Sequence, residues 1–289
     1  MTETAADAPL TRDDAARGDR LLIALDIDGT VLLEDETLSP GVVDAVADAA
    51  SHGHIVTIAT GRSWESTHRI VDWLGLDPRF VVTANGATIM ERDEQEPTGY
   101  RRHIVETFDA TEVLDHIERH LPDANYMVEL ADGSRLFNNF LDDWDLSRPN
   151  AHRVEIEEMK GREVTRVVVV SDEHDNGEFA DFVENMGLQQ VSYSVGWSAW
   201  LDIAPHGINK ATALEQVRQL LDVAAHRVVV MGDGRNDIQM LDWARDAGGE
   251  AVVMGQAIPE VAEHATRVTG SVEDGGVAQA LEALGITSR

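Results

Sequence analysis

The sequence contains no cysteine. Disulfide cross-links, thiol nucleophiles and thiolate-bound metals are therefore excluded. Positive charge is scarce as well: 23 Lys and Arg stand against 53 Asp and Glu, for a formal net charge of −30. Nucleic acids and anionic membranes both need a positive footprint, so neither is expected as a partner. Only Lys160 and Lys210 are lysines. A GC-rich genome or a salt-tolerant host would produce that bias, but it makes each lysine worth inspecting. No apolar run approaches the about 20 residues of a membrane helix. The opening stretch MTETAADAPLTRDDAARGDR has no basic n-region and no apolar h-region. It reads as a loose tail over residues 1–19 rather than a signal peptide, which makes the cytoplasm the expected location.

What is there is a globular chain of 289 residues, 43% of them apolar, long enough for one large domain or two smaller ones. RLLIALDI is a short apolar run of buried-strand type. SPGVVDAVADAASHG predicts a helix with Ser39 as N-cap, Pro40 at the first helical position and Gly53 just past the end. HIVTIAT and RFVVTA are further buried strands, with the helix SWESTHRIVDWLG between them. Apolar strands separated by helices argue for a parallel sheet covered on both faces. The pattern then changes. Asn85-Gly86 between two apolar runs is a hairpin signal. Beyond it lies an α+β stretch. It holds a helix DATEVLDHIERHL with a capping box at Asp109 and Glu112, a strand pair around Asp132-Gly133, a strand EVTRVVVVS, a helix over 177–187, and the strand pair QQVSYSV and SAWLDIA. Strand–helix alternation resumes near residue 205. The expectation is an α/β core from residues 20–86 and 204–289, split by an inserted module over 87–203.

In an open parallel sheet, ligands bind beyond the carboxyl ends of the strands. The first strand delivers Asp26 and Asp28 there, the second Thr60-Gly61-Arg62, the third Asn85-Gly86, and the strand at 226–231 the loop GDGRND with Asp233, Asn236 and Asp237. Lys210 precedes a helix of the returning core. Crowded carboxylates need a counter-charge. Mg²⁺ supplies one, since it is hard, prefers oxygen and is held by carboxylates together with substrate phosphate. A hydroxyl, a lysine and a metal form a cradle for a phosphoryl group, whose transfer needs mainly positioning and charge neutralisation. A carboxylate can also serve as nucleophile and form an aspartyl-phosphate.

These stretches resemble the haloacid dehalogenase-like phosphatases, in particular the Cof-type branch with a type IIB cap. DIDGT is similar to the family's DxDGT, Thr60 in IATGR to its second motif, Lys210 in HGINKATAL to its third, and GDGRND to its GDxxND fourth motif. Asn85-Gly86 in TANGA resembles a short motif of the branch. Four motifs occur in order over roughly residues 20–285, with room for a cap between Thr60 and Lys210. The resemblance implies a Rossmann-like parallel-sheet core with an inserted α+β cap. It further implies that Asp26 attacks phosphorus, while Asp28 protonates the leaving alcohol and then activates water. Mg²⁺ would be held by the Asp26 carboxylate, the Asp28 backbone carbonyl and Asp233, with Asp237 acting through water or orienting Lys210. Thr60 and Lys210 would bind the phosphoryl oxygens, with Gly61, Arg62, Asn85, Gly86 and Asn236 around the substrate. The expected enzyme hydrolyses a small phosphorylated metabolite, in the first place a sugar phosphate, as a monomer or homodimer.

Each stretch also has a plainer reading. Asp-x-Asp-Gly alone is usually a turn, but here it follows a buried strand. An EF-hand is excluded because Val31 stands where its glycine is required, and GDGRND fails GxGxxG because Asp237 occupies the third glycine position. His116 and His120 lack the glutamate of a zinc-protease helix and read as a solvated face. His52, His54 and His206 read as turn residues, Trp197 and Trp200 as core, and Asn138 and Asn139 as turn residues or sugar contacts. Competing functions are a phosphomutase, a receiver domain and a non-catalytic sugar-phosphate binder. A receiver is about half this length and has no cap insertion, and an acid/base beside the nucleophile would erase its signal.

Overall fold

The computed structural model describes residues 20–139, 150–171, 191–195 and 200–287. Trp197 and the helix expected over 177–187 lie outside the described residues. The first half of the chain forms β1 (Leu22–Leu25), α1 (Val42–Ser51), β2 (Ile55–Ile58), α2 (Trp64–Trp73), β3 (Phe80–Thr83), β4 (Thr88–Arg92), β5 (Tyr100–Val105), β6 (Phe108–Asp109), α3 (Thr111–Glu118), β7 (Asn125–Leu130) and β8 (Arg135–Phe137). There follow β9 (Ala151–Arg153), α4 (Ile156–Met159), β10 (Glu163–Val170), β11 (Val191–Val195), β12 (Trp200–Pro205), α5 (Lys210–Leu220), β13 (Val228–Gly232), α6 (Ile238–Asp246), β14 (Glu250–Val253), α7 (Pro259–Ala262), β15 (Arg267–Val268) and α8 (Gly276–Ala283).

A five-stranded parallel sheet runs in the order β15-β14-β13-β1-β2. Its central strands β13 and β1 are apolar and buried throughout because both faces are covered, while β2 carries Thr57 and the strands toward the far edge, β14 and β15, begin with Glu250 and Arg267. Ile23, Leu25, Val229 and Met231 point into one core with α1, α2 and α8. Leu22, Ala24, Val228 and Val230 point into the other with α5 and α6. The period of two in side-chain direction thus sorts one continuous apolar run into two cores.

Two local expectations are corrected. Helix α1 starts after Gly41, which sits at φ 72°, and Ser39 does not cap it; the Ser39 hydroxyl donates to the Val272 carbonyl (2.6 Å) and ties the loop to the last turn of chain before α8. Helix α3 has no capping box. Asp109 instead accepts from the Thr111 amide (2.8 Å), one residue further out than expected, and leaves Glu112 unused.

Asn85-Gly86 does reverse the chain, as a 3-10 turn over Ala84–Gly86. Strands β4 and β5 then return antiparallel on β3, and Ile89 packs with Phe80 and Val82 in the first sheet's second core. The chain crosses into the next sheet only at Glu106–Phe108, some twenty residues after the expected break at 86. That sheet has the order β11-β12-β10-β7-β8-β9, with β6 also on β10. All its described pairings are antiparallel except β8 with β9. Tyr126, Val128, Val167, Val169, Leu201 and Ile203 pack its outer face against α3 and α4.

Candidate active site

Asp26, Thr60 and Asp233 each stand immediately beyond, or one residue past, the carboxyl end of a parallel strand. The Asp26 amide donates to the Met231 carbonyl (2.9 Å), which continues the β1–β13 ladder by one rung and fixes where the Asp26 side chain leaves the sheet. Gly29 then turns the chain at φ 73°. A Cβ there would stand inside contact distance of the Asp233 carboxylate, so only glycine permits the two loops to approach this closely.

Carboxylate oxygens of Asp26, Asp233 and Asp237 all lie within 4.8 Å of one another, and all three residues are buried. Lys210, itself fully buried, reaches in from the first turn of α5. Its Nζ donates to Asp26 Oδ1 (2.6 Å) and Asp237 Oδ1 (2.7 Å). The second oxygen of Asp237 accepts from the amides of Asp233 and Gly234 (3.0 Å each), so this carboxylate braces its own loop as well as the lysine. Burial, and then the Asp237 charge, hold the Asp26 carboxyl well above the usual range, with Lys210 pulling it back. The same two causes push Asp233 up to about 7. Burial alone would lower the Lys210 pKa; Asp237 and Asp26 more than offset it, and the lysine stays charged. One ammonium among three buried carboxylates leaves excess negative charge. All the donors are hard oxygens, which is the set that suits Mg²⁺.

Asp28 is placed differently. Its side chain is 57% exposed and is held by Arg62, whose Nε and Nη2 contact both carboxylate oxygens (2.5–3.1 Å). Arg62 Nη1 also reaches Glu36 (3.1 Å), and these two acids hold the guanidinium firmly protonated against its own burial. Arg62 therefore meets carboxylates here, while the resemblance had put it on substrate.

Thr60 is fully buried, and its Oγ1 accepts from the Arg62 amide (3.1 Å). Asn85, at φ 49°, has both ends of its amide engaged: Nδ2 donates to Asp202 (3.0 Å) and Oδ1 accepts from Asn236 (3.3 Å). Gly86 lies against the Asn209 carbonyl with no room for a Cβ. All the residues expected at the site are therefore gathered at one end of the parallel sheet. A larger cleft of about 650 Å³, lined by Arg20, His54 and Arg79, opens at the other end, where the strands begin.

Several residues here escaped the sequence reading. Gln256 donates to the Gly29 carbonyl (2.5 Å) and to Asp233 Oδ2 (3.3 Å), and Thr30 Oγ1 donates to Asp233 Oδ1 (3.4 Å). Gln256 lies just past the end of β14, so the strand-end rule applied to one more strand would have found it. On the second sheet, Arg166 donates to the Gly61 carbonyl and faces Asp202 (3.7 Å), and Arg135 donates to Ser63 Oγ (2.9 Å) beside Glu65 (3.6 Å). Among the plainer readings, Asn138 is a turn residue: its amide bonds the Tyr126 amide and the Ala124 carbonyl (2.7 and 3.1 Å). Among the described residues, the aspartate triad is the only acidic or histidine group with metal-binding spacing, and His116 and His120 belong to none.

The family model for haloacid dehalogenase-like hydrolases matches residues 23–281. A 5-amino-6-(5-phospho-D-ribitylamino)uracil phosphatase of Bacillus subtilis, YitU, is 27% identical over 266 residues, covering 90% of this chain and 96% of that protein. An HMP-PP phosphatase of Yersinia enterocolitica is 23% identical, covering 90% of this chain and 94% of that protein. The solved structure of the subclass IIB sugar phosphatase BT4131 superposes with a TM-score of 0.75 at 19% identity, covering 92% of this chain and 99% of that one.

Proposed function

We propose that this chain, which belongs to the haloacid dehalogenase-like hydrolases, is a Mg²⁺-dependent phosphatase that hydrolyses a small sugar phosphate through an aspartyl-phosphate. The observation that carries this reading is the buried triad Asp26, Asp233 and Asp237 with Lys210 between two of its members. We take residues 20–105 and about 206–287 as the core domain and 108–205 as its cap. The named activities of the two relatives, both phosphatases of small metabolites, support the class. No helix among the described residues is long and apolar enough to cross a membrane.

Asp26 and Asp233 would hold Mg²⁺, which when bound neutralises charge on the phosphoryl oxygens. Asp237, with both oxygens committed to Lys210 and to its own loop, orients the lysine. Lys210 and the Thr60 hydroxyl bind phosphoryl oxygens, and Lys210 also fixes the Asp26 carboxylate. A carboxylate oxygen of Asp26 attacks phosphorus in line. The ester P–O bond breaks, and Asp28 gives its proton to the departing alcohol. Asp28 then takes a proton from a water that attacks the aspartyl-phosphate, and the P–O bond to Asp26 breaks to release inorganic phosphate. Arg62 sets where Asp28 stands between these steps.

The test is phosphate release from a panel of sugar, nucleoside and vitamin phosphates with Mg²⁺, with chelator, and with Asp26→Asn. Release that requires both the metal and Asp26 is expected. Activity that survives chelation or the Asn substitution would overturn the mechanism. Transfer to a second sugar hydroxyl in place of water would turn the reading into a phosphomutase.

A further inference from the structure

Gln256 is half-buried just past β14, in a loop tied to the end of β13. The Met254 amide donates to the Gly232 carbonyl (3.1 Å), and the Gly255 amide donates to the Gly270 carbonyl (2.9 Å). The Gln256 side chain is engaged at both ends of its amide. Oε1 accepts from the Val272 amide (3.0 Å), while Nε2 donates to the Gly29 carbonyl (2.5 Å) and to Asp233 Oδ2 (3.3 Å). A backbone N–H can only donate and a backbone carbonyl can only accept, so Val272 and Gly29 fix which end of the amide is which. The remaining hydrogen of Nε2 serves Asp233.

That hydrogen lies at the seam of the carboxylate cluster. Asp26 and Gly29 belong to the loop after β1, and Asp233 and Asp237 to the loop after β13. The ladder between these strands extends to the Asp26 amide on the Met231 carbonyl (2.9 Å). Beyond it the two loops carry carboxylates within 4.8 Å of one another, and like charges this close repel. Gln256 ties the loops together, holding Gly29 on one side and Asp233 on the other. Thr30 Oγ1 adds a longer bond to Asp233 Oδ1 (3.4 Å). The tie is neutral. An ammonium in its place would cancel the Asp233 charge and compete with a metal ion; an amide directs the carboxylate and leaves its charge for the ion. Its far end rests on Val272, whose carbonyl is held in turn by the Ser39 hydroxyl (2.6 Å).

Resting on the Mg²⁺ reading of Asp26 and Asp233, we infer that Gln256 is a positioning residue that sets the span of the metal site and, through that span, its choice of ion. Mg²⁺ needs oxygens at about 2.0–2.1 Å in near-octahedral geometry, whereas Ca²⁺ takes them at about 2.3–2.6 Å in flexible arrangements. Braced loops favour the smaller ion. Loops that part under carboxylate repulsion fit Mg²⁺ badly and lose little for Ca²⁺.

The experiment titrates Mg²⁺ and Ca²⁺ by calorimetry into the full chain freed of metal by chelator, in the wild type, Gln256→Met and Gln256→Glu. Asp233→Asn supplies the background from ions held by the many other acidic groups. In Gln256→Met the Mg²⁺ dissociation constant should rise about 10–100-fold, the range for loss of a group that orients a metal ligand. The Ca²⁺ constant should rise no more than about threefold, so the Ca²⁺/Mg²⁺ ratio of dissociation constants falls at least about threefold. Gln256→Glu keeps an acceptor for the Val272 amide but puts an oxygen where the donors stood. Its added charge acts on both ions alike, so the same fall in the ratio is expected. A ratio equal to that of the wild type overturns the inference, even if both affinities drop together, because that is what a merely structural residue would give. Failure of both variants to fold would also make Gln256 structural and overturn it. A wild type that binds neither ion above the Asp233→Asn background overturns the metal reading itself, and the inference with it.

Discussion

Lys210→Met should separate the structural from the catalytic work of one buried charge. The side chain is 0% exposed and, among the described residues, carries the only ammonium in contact with the carboxylate triad. Methionine fills much the same volume but leaves Asp26 and Asp237 facing each other uncompensated. Removing one partner of a buried ion pair costs about 3–5 kcal/mol. For a chain of this size that lowers Tm by about 6–20 °C, at about 2–4 °C per kcal/mol. The loss depends on pH in a definite direction. The folded-state pKa values of Asp26 and Asp233 already lie above those of the unfolded chain, and without the lysine Asp26 rises further. Groups of this kind stabilise the fold below their unfolded pKa and lose that contribution as pH rises through the folded value, about 7 for Asp233. The variant's deficit should therefore be largest near pH 8 and shrink toward pH 5, as the folded state takes up protons. Saturating Mg²⁺ at pH 8 should restore part of it, about 2.7 kcal/mol at a hundred times Kd. On the proposed mechanism activity should not return under either rescue, because Lys210 is there the donor to the phosphoryl oxygens; a loss of about 10²–10³ in kcat is expected. Thermal melts in chelator at pH 5 and pH 8, alongside phosphate release, decide the matter. A variant as stable as wild type in chelator at pH 8, or one whose deficit grows as pH falls, would refute the argument.

Asp28→Asn should leave Tm within about 1 °C, because the residue is exposed, yet lower kcat by about 10²–10⁴ if it moves the proton; a near-normal kcat would remove it from the mechanism. Glu129 titrates in the folded chain at about 7, raised by burial against the opposing pull of Arg166. The metal-free chain should accordingly gain about 2 kcal/mol from this group between pH 8 and pH 5. Melts of Glu129→Gln should lack that increment, and an identical pH profile in the variant would count against it. Gly29→Ala forces a Cβ toward the Asp233 carboxylate at a positive φ, so the Mg²⁺ concentration for half-maximal activity should rise at least tenfold; an unaltered metal requirement would show that the two loops can part freely.

The core site was legible because its residues obey a positional rule. A buried parallel strand announces itself as an apolar run, and whatever polar residue ends it must stand at the ligand-binding edge. Asp26, Thr60 and Asp233 follow from that rule alone, and Gln256 would have followed from the β14 run. Lys210 could be singled out because lysine is so rare here. The other lysine, Lys160, spends its charge on Asp115 and Glu118 of α3 and Glu157 of α4. The end of the first sheet was less legible. Asn85-Gly86 signals a hairpin, but a hairpin signal does not say which sheet the returning strand joins. The side chain of Ile89, packed on Phe80 and Val82, decides that for β4.

The inner face of the second sheet was illegible for a different reason, and the reason bears on how such sites are found. Glu129, Arg135 and Asp202 are each the one charge of a mostly apolar strand, as in WLDIA, and Arg166 shares β10 only with Glu163 at its first position. In an ordinary antiparallel sheet with one wet face, an isolated charge at such a position is the expected solvent-side residue. Only the second sheet's lying against the first turns that wet face into an interior. Its charges then answer to one another and to Gly61, Ser63, Asn85 and Glu65 instead of to water. Periodicity in a strand reports which residues share a face, and what covers that face is settled by contacts more than a hundred residues away, such as those of Arg166 with Gly61 and of Asp202 with Asn85. The cluster of Asp26, Asp233, Asp237 and Lys210 is thus encoded locally, strand by strand, whereas the burial of Arg166 and Asp202 is encoded in the docking of the second sheet on the first.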